Sequence, residues 1–341
     1  MQARRDQTVR ATPSYPRKLF FAAVVVLIFF LIVDIVLRFV GVERPPSPAV
    51  IARSIDVDVE FPFMRPDSEL FWAPIPRFRG DFLGKTVTIN SLGLRGEEVS
   101  VPKQATKRRL LCFGDSITFG YGVGDTETYA YVLGRASSPN GVEVVNCGVT
   151  GYSSYQTLRF LRRLAPMLDA DVSLFCVGWN DAARRPVDDL AYARRVRVAM
   201  VFDQLSTNWY LYRLVKNIYL RSFDNEWDGQ PLQPRATQSQ YRKNLESMVA
   251  VCRSHGILPV FIDLPRRKQE GEAAFQSDYS ETLNAVGRAL AVPVINPGDL
   301  GLDTQLSNNS HYFIDTLHFS PAGHVHMAEV IARELTGLGV I

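Results

Sequence analysis

The sequence predicts an α/β fold in which helices cover both faces of a parallel sheet. An apolar helix and a small extended module are expected to precede it. From residue 108 onward, short apolar runs alternate with amphipathic helical patterns. The runs are apolar throughout, as strands are when a parallel sheet is buried on both faces. The chain has 341 residues, 46% of them hydrophobic, and is long enough to bury such a core.

The first forty residues predict a membrane anchor. Residues 1 to 18 form a basic tail, and residues 19 to 40 are mainly apolar and long enough to span a bilayer. Asp34 and Arg38 interrupt the apolar run, but their i,i+4 spacing lets them pair on one face of a helix. The positive-inside rule places the basic tail in the cytoplasm. We therefore expect a single-pass protein of the inner membrane, with its main domain in the periplasm.

A cleaved signal peptide is the alternative interpretation of this segment. Cleavage needs small residues soon after the apolar run, and Arg38, Phe39 and Val40 occupy that region instead. This arrangement favours an uncleaved signal anchor.

The rest of the chain divides into three parts by composition. Residues 41 to 54 contain several prolines and are typical of a linker. Residues 55 to 107 combine β-type patterning with Pro, Gly and Asn, which predicts a small β module. Residues 108 to 341 carry the alternating pattern, with strands expected at residues 110–114, 142–148, 172–178, 258–264 and 293–296.

One segment of the α/β domain departs from this alternation. Residues 186 to 236 form a long, aromatic-rich helical insertion between the third and fourth strands. It could pack as a helix on the edge of the sheet. It could also act as a lid or a membrane-facing flap, because basic and aromatic residues are mixed in it.

Charge and cysteine spacing argue against several classes of protein. A net charge of +3, spread along the chain, does not suit a dedicated nucleic-acid binder. The four cysteines show no C-x-x-C spacing, which argues against a zinc ribbon or a dithiol redox motif. Cys112 and Cys176 lie within apolar strand runs and are expected in the core.

Polar residues follow the predicted strands where each strand ends. Gly114-Asp115-Ser116 follows the first strand, Gly151 follows the second, and Asn180 follows the third. Asp315 and His318 follow the last strand. Because ligands bind at the carboxyl ends of parallel strands, these residues are expected to meet at one edge of the sheet.

These residue types suit acyl transfer. A serine hydroxyl becomes a good nucleophile when an imidazole takes its proton, and a carboxylate fixes the tautomer of that imidazole. Asp315 and His318 supply both groups on one short loop. The negative oxygen of a tetrahedral intermediate needs fixed donors, and the backbone N–H groups of Ser116 and Gly151 and the Asn180 amide are candidates.

Four sequence blocks, Gly114-Asp115-Ser116, Gly151, Asn180 and Asp315 with His318, occur in this order. They resemble the blocks of the SGNH hydrolases, also called GDSL-type esterases and lipases. The resemblance covers about residues 108 to 338. It implies a flavodoxin-like three-layer α/β/α sandwich with about five parallel strands and no cofactor. It also implies that Ser116 is the nucleophile, His318 the general base and Asp315 its orienting acid. Ser116, Gly151 and Asn180 would form the oxyanion hole. Asp115 is expected to cap the turn or the following helix.

Two other interpretations of nearby motifs fail on spacing. The glycines of Gly120-Tyr121-Gly122-Val123-Gly124 lie well after the strand end, and Asp125 stands where a dinucleotide-binding motif needs its third glycine. His324 and His326 are two residues apart on an expected helix, so they point to different faces and do not suit a metal site. We therefore predict no metal ligand and no cofactor.

Three residues are candidates for binding the substrate. Tyr152 and Trp179 stand next to the predicted oxyanion residues, so their rings could line the pocket or pack beneath its loops. Arg266 follows the fourth strand and could bind an anionic sugar or phosphate group, or belong to a solvated loop.

The favoured function is that of a membrane-anchored serine esterase. Its substrate would carry an ester-linked acyl group, such as acetyl, on an envelope or exported glycan or lipid. An O-acetyltransferase, which passes the acyl group to a polysaccharide hydroxyl, is one alternative. The other is a non-catalytic protein that binds or assembles polysaccharide, because fold does not imply function.

Overall fold

The computed structural model describes residues 15–42, 61–194, 209–223, 231–264, 273–297, 311–315 and 317–341. These residues fall into two compact units. The smaller unit contains residues 1–46 and 201–229, and the larger contains residues 47–200 and 230–341. Most of the expected linker and the tip of the insertion lie outside the described residues.

In chain order the described strands are β1 (Met64–Asp67), β2 (Phe71–Pro74), β3 (Arg79–Phe82), β4 (Lys85–Thr88), β5 (Arg108–Gly114), β6 (Val142–Gly148), β7 (Val172–Cys176), β8 (Arg184–Arg185), β9 (Gln233–Pro234), β10 (Leu258–Ile262) and β11 (Val294–Ile295). The described helices are α1 (Tyr15–Val40), α2 (Ser116–Phe119), α3 (Tyr129–Ser137), α4 (Ser154–Leu168), α5 (Trp179–Ala182), α6 (Tyr210–Phe223), α7 (Gln238–Ser254), α8 (Ala273–Leu290) and α9 (Pro321–Gly337).

The larger unit is built on a five-stranded parallel sheet with the strand order β11-β10-β7-β5-β6. Each of its strands overlaps one of the five predicted apolar runs. The chain order changes direction at β5, which pairs with β6 on one side and β7 on the other. In such sheets a crevice opens where the order reverses, outside the carboxyl ends of the strands.

Side chains of β5 alternate between two hydrophobic cores, one on each face of the sheet. Leu111 and Phe113 belong to a core with residues of α4, α7 and α8. Leu110 and Cys112 belong to a second core with residues of α3 and α9. A strand with both faces buried needs apolar residues at every position, which explains the continuous apolar runs in the sequence. The three-layer α/β/α arrangement confirms the predicted fold.

Residues 61 to 107 share the core of the sheet domain, although the sequence predicted a separate small module. The segment forms two antiparallel hairpins, β1 with β2 and β3 with β4. Phe71, Trp72 and Leu94 lie in the same core cluster as Phe113 of the central strand. The β patterning was therefore interpreted correctly. The segment also has a smaller core of its own, in which Phe61, Phe63, Phe82, Val87 and Ile89 pack with Phe119 of α2. The domain boundary at residue 107 stays a prediction.

Buried Arg95 connects this segment to the loop after α2. Its guanidinium donates to the carbonyl oxygens of Phe119 and Gly120 at 2.7 and 2.6 Å, and to that of Val123 at 2.7 Å. Burial lowers the pKa of Arg95 to about 10, with the nearby Asp125 carboxylate acting in the opposite direction. The hairpin segment thus fixes the loop that follows the catalytic serine proposed below.

The smaller unit contains α1 and α6. Lys18–Val40 has a mean hydropathy of 3.2 and contains no buried residue, so α1 is long and apolar enough to cross a membrane. A signal sequence would meet the same criteria. Asp34 and Arg38 approach each other at 3.7 Å on α1, as their spacing predicted. Within this unit α6, part of the 186–236 insertion, packs beside α1, where the Leu211 N–H donates to Asp34 Oδ1 at 2.9 Å.

Candidate active site

Close packing at the strand ends places Ser116 at the edge of the sheet. β5 ends at Gly114, and Ser116 is the first residue of α2. A Cβ atom on Gly114 would lie 2.7 Å from the Cys176 carbonyl oxygen, and one on Gly148 would lie 2.3 Å from the Phe119 nitrogen. No real side chain tolerates such distances. Glycine at both positions therefore lets α2 pack directly against the ends of β5, β6 and β7.

Asp115 caps α2 and also holds a predicted oxyanion residue. Its Oδ1 accepts from the Ile117 N–H at 3.0 Å, which is the cap expected from the sequence. Its Oδ2 accepts from Asn180 Nδ2 at 3.1 Å. Burial raises the pKa of Asp115 to about 6, while the Ile117 hydrogen bond and the nearby His318 charge lower it. This carboxyl group thus links the start of α2, which carries Ser116, to the loop after β7.

The structure brings Ser116, His318 and Asp315 into one hydrogen-bonded chain. Ser116 Oγ lies 2.8 Å from His318 Nε2, although the two residues are about two hundred positions apart. His318 Nδ1 lies 2.7 Å from Asp315 Oδ2. This is the arrangement in which a carboxylate orients an imidazole toward a serine hydroxyl.

Asp315 is held as an acceptor by its own loop. Its Oδ1 accepts from the backbone N–H groups of Leu317 and His318, both at 2.7 Å. Burial acts to raise the pKa of Asp315, but the hydrogen bonds from the His318 side chain and from these N–H groups lower it to about 2. Asp315 is therefore ionised at neutral pH, as a group that stabilises an imidazolium must be.

Tyr121 supports the imidazole ring from one side. The rings of Tyr121 and His318 stack with centroids 4.2 Å apart and an interplanar angle of 29°. In the sequence Tyr121 belongs to a glycine-rich motif, and that motif does not predict this contact. The only sequence signal was an aromatic residue shortly after Ser116, and nothing local relates it to a histidine near the C-terminus.

Gly151 and Asn180 line the same cleft as Ser116 and His318. Gly151 has a φ of +76°, which favours glycine, and a Cβ atom there would lie 3.1 Å from the Trp72 ring. Asn180 Nδ2 donates to Asp115 Oδ2 at 3.1 Å and to the Tyr152 carbonyl oxygen at 3.2 Å. A side-chain amide has two N–H groups. To donate to an oxyanion, Asn180 must therefore share or exchange one of these bonds.

The three candidate substrate-binding residues have different environments. Trp179 is half-buried and lines the cleft. The Tyr152 ring is 1% exposed, and its hydroxyl donates to the Trp72 carbonyl oxygen at 2.7 Å. Of the two positions that the sequence left open for the Tyr152 ring, the structure has the second: the ring packs beneath the loop and does not line the cleft. Arg266 lies outside the described residues.

Aromatic side chains from the hairpin segment form part of the cleft wall, which the sequence pattern does not predict. The cleft has a volume of about 370 Å³. Phe61 and Trp72 line it together with Tyr121 and Trp179. Trp72 is fixed by a hydrogen bond of 3.0 Å from its indole N–H to the Thr150 carbonyl oxygen. The segment FWAP was assigned to a separate module, so its rings were not considered part of the site.

His324 has a structural environment in the larger unit. It is fully buried, and its Nδ1 accepts from the Tyr129 N–H at 3.2 Å. Burial lowers the pKa of His324 to about 3, and the Arg95 charge lowers it further. Among the residues that the structure describes, no group of three or more His, Cys, Asp or Glu side chains is arranged to hold a metal ion.

Comparisons with solved structures find several esterase and lipase folds at low sequence identity. A lipase/acylhydrolase from Enterococcus faecalis is 20% identical, with 67% of this chain and 96% of that chain covered and a TM-score of 0.45. A member of the lipolytic protein G-D-S-L family from Veillonella parvula DSM 2008 is 17% identical, with 67% and 98% covered and a TM-score of 0.45. The psychrotrophic esterase EstA from Pseudoalteromonas sp. is 13% identical, with 68% and 98% covered and a TM-score of 0.46.

No curated protein matches the sequence. The model of the GDSL-like lipase/acylhydrolase family matches residues 112–325, which is more than half of the chain and includes all four blocks of polar residues at the strand ends. The chain therefore belongs to the GDSL-like lipase/acylhydrolase family, the SGNH hydrolases that its motifs resemble.

Proposed function

We propose that this protein is a membrane-anchored serine esterase with Ser116, His318 and Asp315 as its catalytic triad. The observation that carries the proposal is the 2.8 Å separation of Ser116 Oγ and His318 Nε2, with Asp315 Oδ2 2.7 Å from the other ring nitrogen. Membership of an acylhydrolase family supports a hydrolytic reaction.

The reaction follows from this geometry. His318 Nε2 takes the proton of Ser116 Oγ while that oxygen attacks the carbonyl carbon of the ester. The negative carbonyl oxygen of the tetrahedral intermediate is stabilised by the N–H groups of Ser116 and Gly151 and by the Asn180 amide. His318 then gives the proton to the leaving alcohol, and an acyl-enzyme forms. Water, deprotonated by His318, then attacks the acyl carbon. The bond from that carbon to Ser116 Oγ breaks, His318 returns the proton to Ser116 Oγ, and the acyl group leaves as the carboxylic acid.

The substrate class is proposed from the cleft and the N-terminal helix. Aromatic rings line most of the apolar cleft wall, and its volume of about 370 Å³ suits a short acyl group and part of the alcohol that carries it. The candidate spanning helix would hold the enzyme at the inner membrane with its larger unit in the periplasm. Acylated envelope glycans and lipids are ester substrates within reach of such an enzyme.

The proposal is tested by labelling and by hydrolysis with the full chain. A fluorophosphonate probe should label the parent protein and fail to label Ser116→Ala. The parent should hydrolyse p-nitrophenyl acetate, and Ser116→Ala should lose at least about 10³-fold in kcat. Ser254→Ala, which changes an exposed serine on α7, is the matched control and should keep the parent rate. Equal activity of Ser116→Ala and the parent would refute the triad.

A second measurement separates hydrolysis from acyl transfer. Oligosaccharide acceptors added to the acetyl-ester assay should leave the yield of free acetate unchanged if water is the acceptor. Transfer of the acetyl group to the oligosaccharide at the expense of free acetate would identify a transferase with the same triad. Absence of probe labelling in the folded parent would instead indicate a binding protein.

A further inference from the structure

We propose that α6 is a second membrane-contacting element, lying in the lipid interface beside α1. The proposal rests on the membrane anchor proposed above, because α6 and α1 belong to the same compact unit. The partner is a lipid surface, in which the apolar face of α6 would be immersed.

The position of Asp34 within the apolar helix is explained by α6. A carboxylate at that depth is costly unless it has partners. Asp34 Oδ1 accepts from the Leu211 N–H at 2.9 Å, and its other oxygen lies 3.7 Å from the Arg38 guanidinium. Leu211 is in the first turn of α6, where backbone N–H groups have no partner within the helix and the helix dipole favours an anion. Asp34 therefore fixes the start of α6 against α1.

This contact sets the depth of α6 in a bilayer. Asp34 precedes the end of α1 at Val40 by six residues, which is about 9 Å along a helix. The uninterrupted apolar run, residues 19–33, precedes Asp34 in the sequence. Asp34 and the start of α6 are therefore at the level of the membrane interface. Trp209 and Tyr210 are at this level, and both residue types are enriched there. The Arg38 guanidinium lies 5.2 Å from the centroid of the Tyr210 ring.

α6 also exposes an apolar face. Leu211, Leu214, Val215 and Ile218 share one side of the helix by their spacing. Val215 and Ile218 are 57% and 58% exposed in the structure. The sequence of α6 adds basic residues at 213, 216 and 221, a combination typical of helices that bind anionic lipid. The exposed apolar surface of α1, where Ile35 and Val36 are each 53% exposed, is in the same unit, so one lipid phase can cover both.

The test uses the full chain in nanodiscs of phosphatidylcholine and phosphatidylglycerol. The four native cysteines are buried, so an environment-sensitive fluorophore such as NBD can be attached at an introduced cysteine. Labels at Val215→Cys and Ile218→Cys should show blue-shifted emission and quenching by spin-labelled lipid. Val26→Cys on α1 reports insertion of the anchor, and Met167→Cys on α4 is the control for an exposed apolar site in the larger unit.

The possible outcomes distinguish the proposed membrane anchor, α1, from the proposed interfacial helix, α6. Shielding at 26, 215 and 218 but not at 167 supports the interfacial helix. Shielding at 26 with water-exposed labels at 215 and 218 overturns it and leaves the anchor intact. A water-exposed label at 26 overturns the anchor and this proposal together, while the esterase assay stands independently. In the Asp34→Ala background the label at 215 should lose shielding, whereas Asp34→Asn, which keeps an acceptor oxygen, should retain it.

A separate set of contacts carries a second proposal: we infer that Arg235 is a positioning residue for the oxyanion loop. Arg235 is 1% exposed, and its Nη1 donates to the Gly151 carbonyl oxygen at 2.7 Å. Its other nitrogens donate to Gln156 Oε1 at 2.6 Å and to both carboxylate oxygens of Asp189 at 3.1 Å. Asp189 Oδ2 also accepts from Ser153 Oγ at 2.5 Å.

These contacts join the base of the 186–236 insertion to the loop that carries Gly151. Asp189 and Arg235 stand near the two ends of the insertion, and the Asp189 N–H donates to the Arg235 carbonyl oxygen at 2.7 Å. The Gly151 carbonyl and the Gly151 N–H belong to adjacent planar peptide groups joined at the Gly151 Cα, so with the carbonyl held only rotation about φ and ψ of Gly151 can move the N–H. Holding that carbonyl therefore holds the proposed oxyanion donor in place.

The test separates positioning from a purely structural role, and it rests on the proposed esterase activity. Arg235→Met should lower kcat by about 10- to 100-fold with little change in KM, because a displaced donor weakens only the transition state. It should also lower Tm, because Asp189 is left buried without its charge partner.

The double variant Arg235→Met with Asp189→Leu should recover Tm while kcat stays low. Recovery of kcat together with Tm would overturn the positioning role, as would an unchanged kcat in the single variant. Complete inactivity of the parent would instead reject the esterase itself.

Discussion

At the scale of single residues, the site depends on a few contacts that hold reactive groups at hydrogen-bond distance. Ser116 Oγ and His318 Nε2 are 2.8 Å apart because glycines allow α2 to pack onto the strand ends and because Asp315 orients the imidazole. Asn180 is held in the same cleft by Asp115 and by the Tyr152 carbonyl. Several of these partners have no reacting role, yet they set the geometry of groups that do.

Removal of the Asn180 amide should slow the chemical step. We expect Asn180→Ala to lower kcat by about 10²–10³, as loss of one oxyanion donor does in other serine hydrolases, with KM changed little. The measurement is steady-state hydrolysis of p-nitrophenyl acetate. Asn140→Ala, at an exposed asparagine, is the matched control. A parent-like kcat in Asn180→Ala would remove this residue from the oxyanion hole.

The stacked ring of Tyr121 should matter for the orientation of His318. We expect Tyr121→Phe to keep kcat within about twofold and Tyr121→Ala to lower it by roughly tenfold, because only the alanine variant removes the stacking surface. The comparison is made at saturating substrate. Equal kcat values for the two variants would show that the ring does not orient the imidazole.

At the scale of elements, helices and loops are joined to the sheet by buried polar groups. Asp181 of α5 accepts from the backbone N–H of Ser154 at 2.9 Å and from the Ser154 hydroxyl, and so holds the start of α4. Burial raises the pKa of Asp181 to about 7, against the opposing effect of the Ser154 hydrogen bonds. Arg95 performs a similar role between the hairpin segment and the loop after α2. These links tie separate elements to one site.

Asp181 should make stability depend on pH in a predictable direction. An unfolded aspartate has a pKa of about 4, so the native state holds the Asp181 proton more tightly and stability falls as pH rises from about 4 to about 7. The Asn side chain of Asp181→Asn does not titrate in this pH range, but it keeps an acceptor oxygen. We expect the Tm of Asp181→Asn relative to the parent to be several degrees higher at pH 8 than at pH 5. Parallel Tm profiles for the two proteins would contradict the assignment.

At the scale of the whole molecule, the chain combines a hydrolase unit with a unit built around an apolar helix. Residues 201–229 leave the larger unit and return to it, so the chain connects the two units at this insertion as well as after α1. These two connections matter for the proposal that the enzyme works at a membrane, because each joins the larger unit to the unit that contains the apolar helix. The hydrolase fold has no need of the apolar helix, because the two hydrophobic cores of the sheet are complete within the larger unit.

The proposed anchor predicts how the full chain fractionates. The parent should stay with membranes during alkaline carbonate extraction. Changing Leu27 and Leu31 to lysine in one variant should release the chain, because each charge near the bilayer centre costs about 2.5–3.5 kcal/mol on insertion scales. Leu83→Lys with Leu338→Lys, at exposed leucines of the larger unit, adds the same charge as a control. Release of the parent by carbonate would argue against an uncleaved anchor.

The amino-acid pattern alone was enough to predict the parallel sheet and the order of its elements. It also predicted that Ser116, Gly151, Asn180, Asp315 and His318 lie at the strand ends. These features follow from local information: the hydrophobic period of each segment, and short motifs placed where strands stop. Parallel strands bring their carboxyl ends to one edge whatever the details of packing, so motifs distant along the chain could be expected to meet there.

The side chains that surround those groups could be identified only from the folded chain. The hairpin rings in the cleft wall, the burial of Tyr152, the stacking of Tyr121 on His318, and the packing of α6 on α1 are contacts between distant segments. An aromatic residue has the same local pattern whether it packs under a loop or faces a cleft, because its environment is set by the segments that pack around it. For that reason the position of Ser116 at the strand end could be predicted from the sequence and the walls of its cleft could not.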